Sequence, residues 1–192
     1  MRITAVRLAT CGLCAVLVAC ATGFKATYDS DPGHNFSTYK TFTWVSKRPM
    51  IRASGPASAN PLVEPRAMTA LKDQLTAKGY RFVEINEPAD FAIAFTVGAR
   101  DKIRVTSYPS TYAGRRGAWG WGGGYYGREV DARQYTEGVL AVDVFDVKKR
   151  APVWHGVASK SITKSDRANA TETIGAAVAA ILEGFPSPQV AN

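Results

Sequence analysis

Phe91-Ala92-Ile93-Ala94-Phe95-Thr96-Val97 sets a large apolar residue at every second position and fills the gaps with small ones. Side chains of an extended chain alternate between two faces, so the large set shares one side and the small set the other. Neither set carries a charge, which predicts a central strand covered on both sides, with the small set letting a helix approach closely. Gly98 reads as a bulge before the chain continues through Ile103 and Val105.

Working outward, the C-terminal half supplies partners for that strand. Gly138-Val139-Leu140-Ala141-Val142-Asp143-Val144-Phe145-Asp146 and Pro152-Val153-Trp154-His155-Gly156-Val157-Ala158 flank the basic turn Lys148-Lys149-Arg150, which predicts a hairpin. Ile174, Val178, Ile181, Leu182 and Phe185 then form a helical stripe, ended by Gly184 and Pro186. On the N-terminal side, Tyr80–Ile85 reads as a short strand. Before it, Val63, Ala67, Leu71 and Leu75 recur at a spacing of four, the mark of one helical face. Asn60-Pro61 is the expected start, Pro65 is awkward inside the pattern, and Gly79 is the expected stop. Lys47–Asn60 carries Pro49, Gly55 and Pro56 and reads as a loop, while Tyr39–Val45 reads as a strand. The resulting order is β-α-β-β-β-β-α. It predicts a single α+β domain over 39–186, a mixed sheet of about five strands with two helices on one face. Residues 187–192 are left as a tail.

The first twenty residues decide location. Arg2 and Arg7 precede an apolar stretch from Leu8 to Ala19, too short to span a membrane and the right length for a signal peptide. Leu17-Val18-Ala19-Cys20 has the form of a bacterial lipobox, in which the cysteine sulfur takes a diacylglycerol and becomes the mature N-terminus. This reading gives residues 1–19 as signal and 20–38 as lipidated N-terminus and tether. It holds the protein in the bilayer through acylated Cys20, since two or more acyl chains anchor stably. The competing reading is ordinary secretion, because Ala19-Cys20-Ala21 also fits a small-x-small cleavage pattern that would start the chain at Thr22.

Either way, Cys11 and Cys14 leave with the signal, and no thiol besides Cys20 remains for a disulfide, a nucleophile or a thiolate metal site. The 192-residue chain has 24 Lys and Arg against 16 Asp and Glu, a formal charge of +8. A basic balance invites a nucleic-acid reading, but export and the scatter of the cations argue against it. Solvated loops that favour an anionic membrane surface explain it better.

Between Tyr108 and Arg128 the composition changes to seven glycines and four tyrosines, with Trp119 and Trp121 beside Arg115 and Arg116. Glycine at that density makes regular structure costly, so 108–128 reads as a long loop or a hairpin tip. Trp119, Trp121, Tyr125 and Tyr126 are the candidate ligand or partner contacts: they could stack on sugars, enter a lipid interface or dock on a partner. The bland alternative is a low-complexity loop without a ligand.

Catalytic constellations are harder to assemble. A metal site would need His34 and His155 joined by Asp29, Asp31, Asp143 or Asp146, and no short spacing suggests it. Asp143 and Asp146 fall on opposite faces of one strand, with edge solvation and turn initiation as their ordinary roles. No G-x-S-x-G occurs, and Gly120–Gly127 lacks the Lys-Ser/Thr ending of a phosphate loop. No cofactor is expected.

Several stretches together resemble a family of bacterial envelope lipoproteins catalogued as domain of unknown function 4136. They are the lipobox at Cys20, Tyr28-Asp29, Phe36–Trp44, Lys78-Gly79-Tyr80, the strand after Asp90, Gly138–Asp146, Val153-Trp154-His155-Gly156 and Phe185-Pro186. The resemblance spans nearly the whole mature chain and omits the glycine-aromatic segment. It implies a lipid-anchored envelope domain facing the periplasm, and Ala21 after the cysteine agrees with outer-membrane sorting. It carries no catalytic residues to transfer. Three functions follow in order: a non-enzymatic domain that binds or scaffolds an envelope component, a glycan- or lipid-binding module, and an envelope hydrolase. The sequence leaves the oligomeric state open.

Overall fold

The computed structural model describes residues 23–52, 60–111 and 126–188, and of 52, 104–111 and 126–133 the backbone alone. Strands β1 (Lys25–Ser30), β2 (Thr41–Trp44), β3 (Met50–Arg52), β4 (Arg81–Phe82), β5 (Phe91–Thr111), β6 (Tyr126–Asp146) and β7 (Ala151–Ser161) form one mixed sheet. Its order is β1-β7-β6-β5-β2-β4, with β3 also beside β5. Helices α1 (Val63–Ala77), α2 (Lys164–Ala168) and α3 (Ala170–Leu182) complete an α+β fold.

The alternation that predicted the central strand is what builds the core. Phe91, Ile93 and Phe95 lie opposite Asp146, Val144 and Val142 of β6, and Trp154 of β7 continues the row from Val144. The apolar residues of this row share one cluster with Leu71 and Leu75 of α1 and with Val178 and Ile181 of α3. Both long helices therefore cover the large-residue face. Gly156 is what admits α3: a Cβ there would collide with the Trp154 ring and lie 2.7 Å from Ile181.

Helix α1 buries Val63, Ala67, Leu71 and Leu75, the four residues of the predicted face. It begins at Val63, because Asn60 turns the chain by accepting from the Leu62 N–H at 2.9 Å. Pro65 is tolerated in the first turn, where backbone N–H groups have no helical acceptor. Gly79 ends the helix at φ +104°, a conformation that favours glycine. Arg150 takes φ +53° in the turn between β6 and β7.

Five expectations need correction. The sheet has seven strands instead of about five, because β1 and β3 are short or polar and lie along existing edges. β1 pairs with β7 from Lys25↔Ser159 to Ser30↔Trp154, so residues 25–30 of the expected tether belong to the sheet. β3 lies inside the expected loop 47–60 and pairs with β5 just beyond β2, from Met50↔Phe95 to Arg52↔Val97. Gly98 makes no bulge, since the β5–β6 register runs unbroken through Gly98↔Val139. Finally, no described helix covers the small-residue side. Ala94 is buried there, yet Ala92 and Thr96 remain half-exposed, because small uncharged residues suit an open face as well as a covered one.

The closing helix is also divided. Thr163 and Asp166 form a reciprocal capping box that starts α2, and Asn169 separates it from α3. The β5–β6 ladder reaches Thr111↔Tyr126, so residues 108–111 and 126–128 of the expected loop are strand, and 112–125 lie outside the described residues.

Candidate functional site

The two ends of the β5–β6 hairpin differ in kind. At the Phe91 end, aromatic rings close the structure. Tyr39 stacks on Phe91 with centroids 5.0 Å apart, and Phe185 sits 5.6 Å from Phe91 and 5.1 Å from Trp154. Polar pins lie among them. The Tyr39 hydroxyl donates to Asp146 Oδ2 at 2.9 Å, and the Lys149 N–H donates to Asp146 Oδ1 at 2.6 Å. Burial, and then the bond to Asp146, push the Tyr39 hydroxyl far above the ordinary tyrosine range, so it stays a donor. Burial alone would raise Asp146, but the donors from Lys149 and Tyr39 outweigh it and hold the carboxyl below its ordinary value.

His34 completes this group. Lys149 Nζ lies 3.2 Å from His34 Nδ1, and an ammonium can only donate, so the proton of a neutral ring sits on Nε2. That nitrogen faces Asp146 Oδ2 at 3.7 Å, too far for a good hydrogen bond, and the His34 side chain is 4% exposed. Phe36 packs edge-on against the imidazole at 4.7 Å. A His-Asp-Tyr group closed in this way joins the 31–39 turn to the end of β6.

Asp90 acts similarly at the start of β5. It accepts from the Lys40 and Thr41 N–H groups and the Thr41 hydroxyl, each at 2.9 Å. Burial opposes ionisation, and these donors overcome it to leave the carboxyl lowered. Around Asp90 opens a shallow recess of about 750 Å³ that also takes Lys40, Lys78, Arg81 and Lys148.

On the open sheet face, His155 Nδ1 and Asp143 Oδ1 meet at 2.6 Å across β6 and β7. This is a solvated cross-strand pair, with His155 half-exposed. Asp143 and Asp146 do fall on opposite faces, as their spacing requires. The two histidines are thus held by different carboxylates. Among the described residues, no group of three or more His, Cys, Asp or Glu comes together to hold a metal.

The opposite end is less closed. Past Glu137↔Ser161 the sheet loses β7, and among the described strands β5 and β6 continue as a pair from Asp101↔Thr136 to Thr111↔Tyr126. At ~3.4 Å per residue this ribbon extends about 35 Å. Its root is tied by Arg100 and Lys102 to Glu137, at 2.8 and 2.7 Å, and by the Thr136 hydroxyl to Asp101. The Lys102 bond, aided by Arg100, lowers the Glu137 carboxyl. Ile103 is 69% exposed on it.

Beside the ribbon root lies a second recess, a groove of about 460 Å³. Val97 and Leu140 line it from the sheet, Ile174 and Ala177 from α3, Ile162 from the β7–α2 link and Phe24 from the segment before β1. Of these residues, the sequence singled out only Ile174 as part of a helical stripe. The signal that was available was Ile162, an isolated apolar residue in a polar run.

The candidate residues from the sequence fare differently. Tyr126 opens β6 opposite Thr111. Cys20, Trp119, Trp121 and Tyr125 lie outside the described residues, so the loop's stacking role stays an expectation. No described helix is long and apolar enough to cross a membrane.

The chain belongs to the family described as a domain of unknown function, DUF4136, whose model matches residues 26–187. No curated protein matches it in sequence. Among solved structures it is similar to a PelC dodecamer from Paraburkholderia phytofirmans, with 12% identity and a TM-score of 0.51. That alignment covers 86% of this chain and 99% of the other. A DUF4136 family protein from Bacteroides thetaiotaomicron aligns at 17% identity and a TM-score of 0.49, covering 84% and 95%. A putative neuraminyllactose-binding hemagglutinin homologue from Helicobacter pylori aligns at 11% and 0.45, covering 78% and 84%. At 12% identity the likeness to PelC is one of fold.

Proposed function

We propose that this chain is a lipid-anchored, non-enzymatic domain of the bacterial cell envelope that binds or scaffolds another envelope component. Acylated Cys20 would hold it to the outer membrane with the folded body in the periplasm. The observation that carries this reading is a convergence at one end of the molecule. Phe24, just before β1, lines the groove, and the ribbon leaves the sheet at the same end. An anchor three residues before Gly23 would bring the groove and the ribbon to the membrane surface. A two-stranded ribbon is marginal alone in water, which suits a segment completed by a partner or an interface.

PelC is described as a dodecamer. Association of this chain with its own copies is therefore the form of scaffolding to test first. The glycan- or lipid-binding reading keeps one specific support, the groove, whose apolar walls suit hydrocarbon better than sugar. A glycan would instead need the loop aromatics Trp119 and Trp121.

The test is the intact mass of membrane-extracted protein beside a Cys20→Ser variant. A mature chain starting at Cys20 with acyl mass is expected, lost in the variant. A lipid-free chain starting at Thr22 would mean ordinary secretion and would end the anchored reading. Light scattering of the same sample would report assembly, and turnover of ester, amide or glycoside substrates would overturn the non-enzymatic part.

A further inference from the structure

The apolar groove at the membrane-facing end, rather than the aromatic segment, is where the structure points to a ligand. Its volume of about 460 Å³ falls in the range of small-molecule sites, ~300–1,000 Å³. Apart from Arg167, which is exposed, the charged and hydroxyl groups that reach it are already engaged. Asp166 accepts from Lys160 Nζ at 2.6 Å and from the Thr163 hydroxyl at 2.7 Å. The Thr173 hydroxyl donates to the Asp166 and Asn169 carbonyls, and Asn60 Oδ1 is taken by the Leu62 N–H. A sugar or nucleotide entering here would lose hydration and find few free partners. A hydrocarbon chain would lose nothing, and would cover Val97, Leu140, Ile162 and Ile174.

The geometry also selects the source of that chain. Phe24 is part of the groove wall, and Lys160 Nζ sits over its ring at 5.4 Å. Just before it, Gly23 has φ +67°, a conformation that favours glycine. Cys20 is three residues upstream, so its Cα lies no more than ~11 Å from that of Gly23 at full extension. An acyl chain on Cys20 thus begins within reach of the groove, and its entry is intramolecular.

We infer that the groove holds one acyl chain of the protein's own N-terminal lipid. This inference rests on acylation of Cys20, the reading proposed above. The consequence is regulatory: an acyl chain lodged in the groove is withdrawn from the bilayer, which weakens the anchor and fixes the body's orientation at the surface. Filling the groove by mutation would return that chain to the membrane.

The test places a photoreactive group in the groove of the full-length protein in its membrane, as Ile174→p-benzoylphenylalanine, with Ala170→p-benzoylphenylalanine as a second position on the same wall. Arg81→p-benzoylphenylalanine, in the recess at the far end, is the control. After irradiation and digestion, mass spectrometry should find the α3 peptide joined to the chain's own acylated N-terminal peptide. That adduct should be absent at Arg81 and lost with Cys20→Ser. An acylated Cys20, seen by intact mass, with α3 adducts only to phospholipid would overturn the inference and make the groove a site for lipid from elsewhere. An acylated Cys20 with no lipid adduct at either groove position would also overturn it, leaving the anchor intact. Absence of acyl mass on Cys20 would overturn both the anchored reading and this inference.

Discussion

One strand, β5, runs through two regions built on opposite terms. At Phe91 every direction is filled: Tyr39, Phe42, Tyr80 and Phe185 all lie within ring contact, and Asp90 and Asp146 are saturated with donors. From Val97 onward the same strand borders a groove, then leaves the sheet with β6 as its sole partner among the described residues. The lesson is a division of labour. Stability is concentrated where aromatic rings and buried hydrogen bonds coincide, and accessible apolar surface is left where the chain meets its proposed anchor.

The sharpest way to break this comparison is to truncate one large residue at each end. Phe91→Ala should cost ~3–5 kcal/mol, since a fully buried aromatic leaves a cavity among rings that cannot collapse. Ile174→Ala, beside the groove, should cost less than half as much, because that side chain is only partly buried. Urea denaturation of both variants measures the difference. Equal losses would mean that the two ends are packed alike.

Polar pinning can be tested next. Tyr39→Phe should cost ~1–3 kcal/mol, because it removes a donor from the buried Asp146 carboxylate. The pH dependence has a definite sign at each extreme. Asp146 is lowered from its ordinary value of 3.8, so its contribution is complete above that value and is lost as the pH falls through the lower folded value. Tyr39 and Tyr80 are raised, Tyr80 to about 12 by burial, so their contribution is complete below the ordinary 10 and is lost as the pH rises beyond it. Chemical denaturation between pH 2 and 6 should show a shallower acid loss in Tyr39→Phe than in the natural chain. An unchanged profile would remove Tyr39 from the account of Asp146.

Two glycines sharpen the contrast within the helical layer. Gly156→Ala should destabilise by ~1–3 kcal/mol, because its Cβ has no room against Trp154 and Ile181. Gly175→Ala in α3 meets nothing within 4 Å and should stabilise by ~0.5–1 kcal/mol through helix propensity. Thermal melts of the pair should move in opposite directions, and a shared direction would contradict the packing described for α3.

Much of the closed end was legible because periodicity and burial agree there. The four-residue spacing of α1 and the alternation of Phe91–Val97 each identify buried faces by residue size alone. Less legible were β1 and β3, since pairing along an existing edge asks for little hydrophobic pattern. Lys25–Ser30 is largely exposed and reads as tether until β7 is known to lie beside it. The second cover over Ala92 and Ala94 was expected from lack of charge, a property that small residues on an open face share. The groove escaped notice for another reason. Its walls come from five separated segments, and Val63, Val97 and Ile174 each stood in a different periodic pattern, so no local signal joined them. Likewise, the His34–Asp146 approach spans most of the chain, and no local spacing announces it.

The central claim is that the groove end faces the membrane and the aromatic end faces away. It is tested most directly by spin labels on the acylated protein bound to liposomes, one at Lys164→Cys at the start of α2 and one at Arg81→Cys on β4. Collision with lipid-soluble oxygen and with a water-soluble nickel chelate reports the depth of each. The account predicts that Lys164→Cys lies at the interface, with higher oxygen and lower chelate accessibility than Arg81→Cys. Equal accessibility at both positions, or a deeper Arg81→Cys, would contradict it.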